Sequence, residues 1–446
     1  MDQSPSRRPS RAGSIVLLAS AAIALAVAVR GGAQELRDSD RTRGRTMLKV
    51  IKKELQNRYY DPAFGGMDLD ERFQKAETDI VAATSLGHVF GIIAQAVLDL
   101  DDSHTRFIPP GRVAKFEYGW RMRMIGDTAR VLAVKPGSDA EAKGLKAGDA
   151  VLSVDGNALN RQNAKIFSYR YYVVRPAPAM RLVVQSPGGQ PRQLDVMTMV
   201  DRGQRVVDLT QGEDIWDILR RLENQSDEHR YAESADGSVF LWNIPSFLSE
   251  ERQIKRIAGK LLKCKSAVID LRGNSGGYIN SLTCLLGLLF DHDVRVGQPK
   301  GRDKTWPPII AKTQGAKAFT GKLVVIVDSD SSSAAELFAR VIQLEKRGTV
   351  VGDRTSGAVM QARFHSKEMG GETVVMYGIS IAEAEVIMGD GRSLEKVGVT
   401  PDMIALPSGE DLAAGRDPVL SHALLQLGVL TPAAEAGKLF PYRWAD

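Results

Sequence analysis

The sequence predicts an α/β protein with a helical region in front and a strand-rich region between the two. Three observations carry this. From about residue 205 onward, short β-branched runs alternate with amphipathic helical patterns, the signature of an α/β core. Between Met47 and Leu100, apolar residues recur at helical spacing. From about 115 to 200 the pattern changes to short strands punctuated by Gly and Pro.

At 446 residues the chain is long enough for two or three domains. Hydrophobic content of 43% and charged content of 25% are globular values. The net charge of +5 is slight, and no aromatic-interleaved basic stripe is present, so nucleic acid is not an expected partner. Cys264 and Cys284 flank a predicted strand and the helix after it; two buried, unpaired thiols are favoured over a bridge.

The N-terminus reads as a targeting signal. Arg7, Arg8 and Arg11 precede the apolar run Ile15 to Val29, and Gly31-Gly32-Ala33 offers small residues for cleavage. Export with removal of residues 1–33 is the main expectation, to the periplasm or outside the cell. An uncleaved N-terminal membrane anchor is the alternative.

Residues 34–114 comprise a polar, Arg/Asp-rich linker over 34–45 and a helical N-terminal domain. Leu48, Ile51, Leu55 and Tyr59 share one helical face, as do Phe90, Ile93, Val97 and Leu100. The domain ends in Asp101-Asp102-Ser103-His104-Thr105, where a histidine follows a run of acids. It reads either as a helix-terminal histidine or as a general base oriented by polar neighbours.

Residues 115–204 centre on Val134-Lys135-Pro136-Gly137-Ser138, then Gly144-Leu145-Lys146-Ala147-Gly148-Asp149, then a strand ending in Asp155-Gly156. This run resembles a PDZ domain. The resemblance implies capture of an extended peptide C-terminus by strand addition, with Tyr118, Gly119 and Trp120 where the carboxylate-binding loop would fall. A spacer without a ligand is the plainer reading.

Residues 205–446 carry the chemistry. A strand over Ala267–Leu271 leads into Arg272-Gly273-Asn274-Ser275-Gly276-Gly277 and a helix. The glycine pair lacks the ending of a P-loop and the spacing of a dinucleotide fold, so an oxyanion hole is the better reading. A second strand, Leu323–Val327, leads into Asp328 to Ser333 and a helix beginning at Ala334. Such a turn places a serine hydroxyl at a helix N-terminus, whose free N–H groups suit a developing oxyanion. No His, Asp, Glu or Cys cluster has metal spacing, and the chemistry calls for no cofactor.

Taken in order, the DDSHT segment, the PDZ-like unit, LRGNSGG, SSSAAELFA, VVGDRTSG and LEKVGVTPD resemble the C-terminal processing (tail-specific) serine peptidases. The resemblance implies a crotonase-like core over 205–446 with an inserted PDZ domain, and Ser333 as nucleophile. The Ser–Lys branch of that family has a lysine where this chain has Ala358, and Lys367 is a poor substitute. The branch resembling the tricorn protease core uses Ser, His, Ser and Glu, and those positions are filled by Ser333, His104, Ser103 and Glu395. Gly276 or Gly277, with the N–H of Ala334, would hold the oxyanion. Arg272 would brace the glycine loop, and Glu336 would be a first-turn helix acid rather than a catalytic one.

The implied function is a serine endopeptidase acting through an acyl-enzyme on exported or unfolded proteins, with protein or peptide C-termini as partners. The alternative is a non-catalytic peptide- or lipid-binding protein on the same scaffold, of which retinoid-binding proteins of the eye are an example. Substrate, oligomeric state and any gating by the PDZ-like unit stay open at this level.

Overall fold

The strands that the apolar runs predict assemble into one mainly parallel sheet. Its order is Arg230–Glu233, Val239–Asn243, Ser266–Asp270, Lys322–Val327, Thr349–Gly352 and Met403–Ile404, parallel throughout except for the first pair. The computed structural model describes residues 36–112, 114–202, 218, 228–234, 236–302, 306–370 and 374–444. The leader expected over residues 1–33 lies outside them.

The central strands read as continuous apolar runs because both sheet faces are covered. Along Lys322–Val327, Leu323, Val325 and Val327 join one core, with the helices Glu251–Leu261, Ile279–Gly287 and Ala334–Leu344. Val324 and Ile326 join a second core under the helix Pro418–Gln426. A five-stranded sheet packs beside this layer, with the long strands Met360–Met369 and Val375–Met388 as its spine. Arg106–Ile108 pairs with the latter, Arg106 opposite Ser380.

The N-terminal part is three helices, Asp38–Arg58, Leu69–Val81 and Leu86–Leu98. Leu48, Ile51, Leu55 and Tyr59 are buried as their spacing predicts. The linker expected over 34–45 is corrected, since the first helix already begins at Asp38. Its polar residues are ion-paired, with Arg37, Asp38 and Arg43 exposed and Asp40 buried. Arg41 also donates to the carbonyls of Leu36 and Ala83 at 3.0 and 3.2 Å. Polarity alone mistook this solvated helix start for a linker.

Residues 114–202 are a strand-rich module with a core cluster of their own. Trp120–Ile125, Thr128–Val134, Ala150–Val154, Ala179–Gln185 and Pro191–Met197 pair in that order, with Trp120–Ile125 at the edge. A short helix, Ala164–Ser168, lies in the same module.

Both cysteines are free and part-exposed rather than buried. Arg272 braces its loop as expected. Its guanidinium grips Asp270 at 2.7 and 2.9 Å and Asp417 at 2.7 and 3.0 Å, tying the loop to the cap of the helix Pro418–Gln426. Arg272→Ala would leave two largely buried carboxylates uncompensated. We expect a loss of about 3 kcal/mol, read as a lowered urea midpoint with an unchanged slope.

Candidate active site

Parallel strands end at a common edge, so the loops that follow them collect there. Asp270 is in register with Ile326, and Val327 with Gly352. The loops 271–278, 328–333 and 353–359 therefore meet although they are far apart in sequence.

Ser333 is the sharpest feature of this edge. It has φ 53° and ψ −117°, a conformation that side-chain-bearing residues rarely adopt and that costs about 1–3 kcal/mol. The strained turn lifts the residue out of the strand and sets it at the N-terminus of the helix Ala334–Leu344. Two bonds hold it. The Ser333 N–H donates to the Ala358 carbonyl at 2.8 Å and to the Glu336 carboxylate at 3.1 Å.

Glu336 is fully buried and serves several donors at once. It accepts from Thr355 Oγ1 at 2.5 Å, from Gly357 N at 2.8 Å and from Ala358 N at 2.9 Å, besides Ser333 N. Burial pushes its carboxyl pKa up, while the bonds from Thr355, Ala358 and Gly357 pull it back. It fastens the Ser333 turn to the neighbouring loop.

The glycine loop lies against this turn. A Cβ on Gly276 would sit 2.7 Å from Ser333 Cβ, so only glycine lets the two loops approach this closely. Asn274 pins the loop: its side chain donates to the Ile244 carbonyl and accepts from Gly276 N at 2.8 Å, and its carbonyl accepts from Ser332 N. The Gly276 N–H is thereby committed. The N–H groups of Gly277 and Ala334 make no hydrogen bond among the described residues.

His104 and Glu395 arrive from outside the sheet. The pairing of Arg106–Ile108 with Val375–Met388 fixes the segment carrying His104, and Thr105 Oγ1 accepts from Ala382 N at 3.0 Å. The loop after Val375–Met388 brings Glu395 alongside. Ser103 Oγ lies 2.6 Å from His104 Nδ1 and 2.8 Å from Glu395 Oε2. Ser103 N donates to Glu395 Oε1 at 2.8 Å, and Val359 N donates to Oε2 at 2.8 Å.

This chain sets the imidazole tautomer. A carboxylate only accepts, so Ser103 donates its hydroxyl proton to Glu395 and must accept from His104. The Nδ1 of neutral His104 then carries the proton, and Nε2 keeps the lone pair that a general base needs. Burial, with Arg106 and Lys165 adding to it, holds the His104 pKa down at about 3, so the ring is neutral at working pH. Burial pushes Glu395 up to about 7, against the bonds from Ser103 and Val359.

A pH dependence follows. Protonated Glu395 can donate to Ser103, which reverses the chain and moves the imidazole proton to Nε2. Activity should therefore need the carboxylate and fall as pH drops through about 7. A histidine of ordinary pKa would place this limb near 6.5. In Glu395→Gln the limb near 7 should vanish from the kcat/KM profile, with activity lowered about 10- to 100-fold.

A cavity of about 550 Å³ lies beside this constellation, with Ser103 and Glu395 in its wall but neither Ser333 nor His104. Ser103, Ser332, Ala358 and Glu395 line it on the core side; Met122, Met124 and Lys165 line it from the strand-rich module. These strands are tied to the Ser333 loop. Arg123 pairs with Asp328 and Asp330, Ser329 Oγ donates to the Met124 carbonyl at 2.6 Å, and Lys165 Nζ donates to Ser332 Oγ.

Tyr118 and Trp120, expected at a peptide-binding loop, are buried in the module core instead. The Tyr118 hydroxyl donates to the Tyr171 carbonyl and accepts from Ala177 N. Gly119, at φ +73°, backs onto Ser138, whose hydroxyl its carbonyl accepts at 3.3 Å. Residues 121–124, just after them, are the ones that face the cavity.

Lys165 is the residue that sequence reasoning missed. A lysine does reach the serine turn, from another module and onto Ser332 rather than Ser333. No local motif signals it, because only folding brings residue 165 to residue 332. Lys367, by contrast, pairs with Glu54 at 2.8 Å.

A second serine–histidine pair is inert by its tautomer. Ser249 Oγ lies 2.7 Å from His229 Nε2, but Trp242 Nε1, which can only donate, bonds His229 Nδ1 at 3.1 Å. The His229 proton must then sit on Nε2 and point at Ser249. Both ring nitrogens of His229 are thereby taken up.

Part of the chain is similar to known peptidases. Residues 241–405 match peptidase family S41. The chain is 24% identical over 362 residues to the chloroplastic carboxyl-terminal-processing peptidase 1 of Arabidopsis thaliana, covering 77% of this chain and 68% of that protein. It is 31% identical over 160 residues to a putative tricorn protease homolog 2 of Streptomyces coelicolor, covering 35% of this chain and 12% of the relative. Among solved structures, mature CPAF superposes with a TM-score of 0.63 at 14% identity, over 84% of this chain and 95% of that one, which shows a shared fold. The matched region spans the glycine loop, the Ser333 turn and Glu395, and with the carboxyl-terminal-processing relatives it supports a serine peptidase.

Proposed function

We propose that Ser333, His104, Ser103 and Glu395 form a catalytic tetrad that cleaves peptide bonds in the C-terminal segments of exported or unfolded proteins. The observation that carries this is the hydrogen-bond chain from Glu395 through Ser103 to His104, which leaves Nε2 as a base. The strained Ser333 turn, presented at a helix N-terminus, supports it.

In the mechanism, His104 Nε2 takes the Ser333 hydroxyl proton as Oγ bonds to the substrate carbonyl carbon. The N–H groups of Gly277 and Ala334 bind the oxyanion, with Gly276 shaping the approach while its own N–H stays on Asn274. His104 returns the proton to the leaving amine as the C–N bond breaks. Water, deprotonated by the same imidazole, then releases the acyl group. Ser103 and Glu395 hold the tautomer throughout.

Residues 34–114 serve as a helical N-terminal domain, 115–204 as a PDZ-like module receiving an extended peptide along its edge strand, and 205–446 as the crotonase-like peptidase core. Support for tail recognition comes from the relatives, one named for carboxyl-terminal processing, and from the edge strand Trp120–Ile125 lining the cavity. The arginine-then-apolar leader supports export to the periplasm or beyond, with an uncleaved leader as a membrane anchor the alternative. No helix among the described residues is long and apolar enough to cross a membrane.

The test is labelling by a serine-reactive phosphonate followed by peptide mapping. We expect the adduct on Ser333 and none in His104→Ala. An adduct on Ser332, or equal labelling of the histidine variant, would defeat the assignment.

A further inference from the structure

The walls of the cavity carry seven basic side chains against four acidic ones; among the seven, Arg123, Arg161 and Lys396 are ion-paired with Asp328, Asp330, Asp353 and Asp101. This excess is local, because the chain as a whole is nearly balanced at +5 over 446 residues. The cations come from both sides. Arg121 lies on the edge strand of the strand-rich module and Lys165 on its helix, while Arg354 belongs to the loop after Thr349–Gly352.

Their placement reaches the reacting centre. Lys165 donates to Ser332, one residue before the nucleophile. Burial, with Arg106 and then Lys165, lowers the His104 pKa. Against its burial, Asp330 at the root of the same loop is held low by Arg123 first, with Lys165 and Arg121 adding to it. Arg354 is exposed and makes no side-chain hydrogen bond or ion pair among the described residues. A concave, partly desolvated cleft with one sign of charge in excess focuses its field and selects the opposite charge.

We propose that this cavity selects substrate segments bearing acidic side chains, with Lys165, Arg121 and Arg354 as the specificity-determining cations. The proposal rests on reading the cavity as the substrate cleft. It is a property of the segment beside the scissile bond, separate from capture of a chain-terminal carboxylate.

The test uses binding, so that it does not depend on turnover. Amidated, fluorescently labelled peptides of one sequence would carry two Glu, two Gln or two Lys, and amidation removes the terminal carboxylate. Anisotropy with the Ser333→Ala protein should give the Glu peptide a Kd at least about 10-fold below that of the Gln peptide, with Lys weakest. The Glu preference should shrink several-fold between 50 and 500 mM salt, as screening requires. Arg354→Glu, an exposed change unlike one at Lys165, should cut the Glu-over-Gln ratio to about 2-fold or less. Equal Kd values for the three peptides, or a preference for Lys, would overturn the proposal. Cleavage of the Gln peptide by the unmodified chain separately reports on the serine peptidase reading, so the two can fail independently.

Discussion

Replacing Ser333 by alanine is expected to lower peptide-bond cleavage by about 10⁴-fold or more, while Ser332→Ala should cost less than about 10-fold. The contrast matters because the two serines are neighbours, and each has a basic side chain to recommend it. Ser332 touches Lys165, but two facts argue against it as nucleophile. Its hydroxyl donates to the Asp330 carbonyl at 2.8 Å, and its N–H is bonded to the Asn274 carbonyl. Ser333 has the strained backbone and the helix N-terminus. Its removal should abolish phosphonate labelling and turnover together and leave the unfolding midpoint nearly unchanged. His104→Ala should match it in turnover, because effects within one catalytic unit do not add. Full activity in either variant, measured on an unfolded protein, would refute the tetrad.

Glu336→Ala should be the most damaging change outside the tetrad. It would strand the donors of Thr355, Gly357, Ala358 and Ser333 in a buried site, at about 3–5 kcal/mol in stability. It would also release the bond that helps hold Ser333 at positive φ, so turnover should fall further than the loss of folded protein explains. Glu336→Gln keeps the shape and one acceptor oxygen, and should recover part of both losses. Urea unfolding gives the first number, and kcat per labelled active site gives the second. A Glu336→Ala protein with native stability would show that the carboxylate does not hold this turn.

Much of the core was legible because local chemistry dictates it. Runs such as Leu323–Val327 have no polar face, so they had to be strands covered on both sides. Small polar residues followed by Ala334-Ala335-Glu336 had to start a helix. The linker expected over 34–45 failed because charge density on a helix start looks the same as charge density in a loop. Gly276 was named as an oxyanion donor because glycine spacing shows where backbone can approach, but it does not show which N–H a neighbouring Asn274 will take. Tyr118 and Trp120 were placed at a binding loop by position in a motif, whereas side-chain direction depends on the module's packing.

By itself, the sequence determined the order of the parts, the strand–turn–helix units and the residue types of a Ser–His–Ser–Glu site. Only the tertiary structure decided how those residues are connected. Ser103 relays between His104 and Glu395, 292 positions apart from the latter, because two antiparallel strands carry both to one edge. It also decided that Glu336 fastens the Ser333 turn and that Lys165 reaches Ser332 from 167 positions away. Hydrogen bonding and charge act through distances in space, and only folding sets those distances.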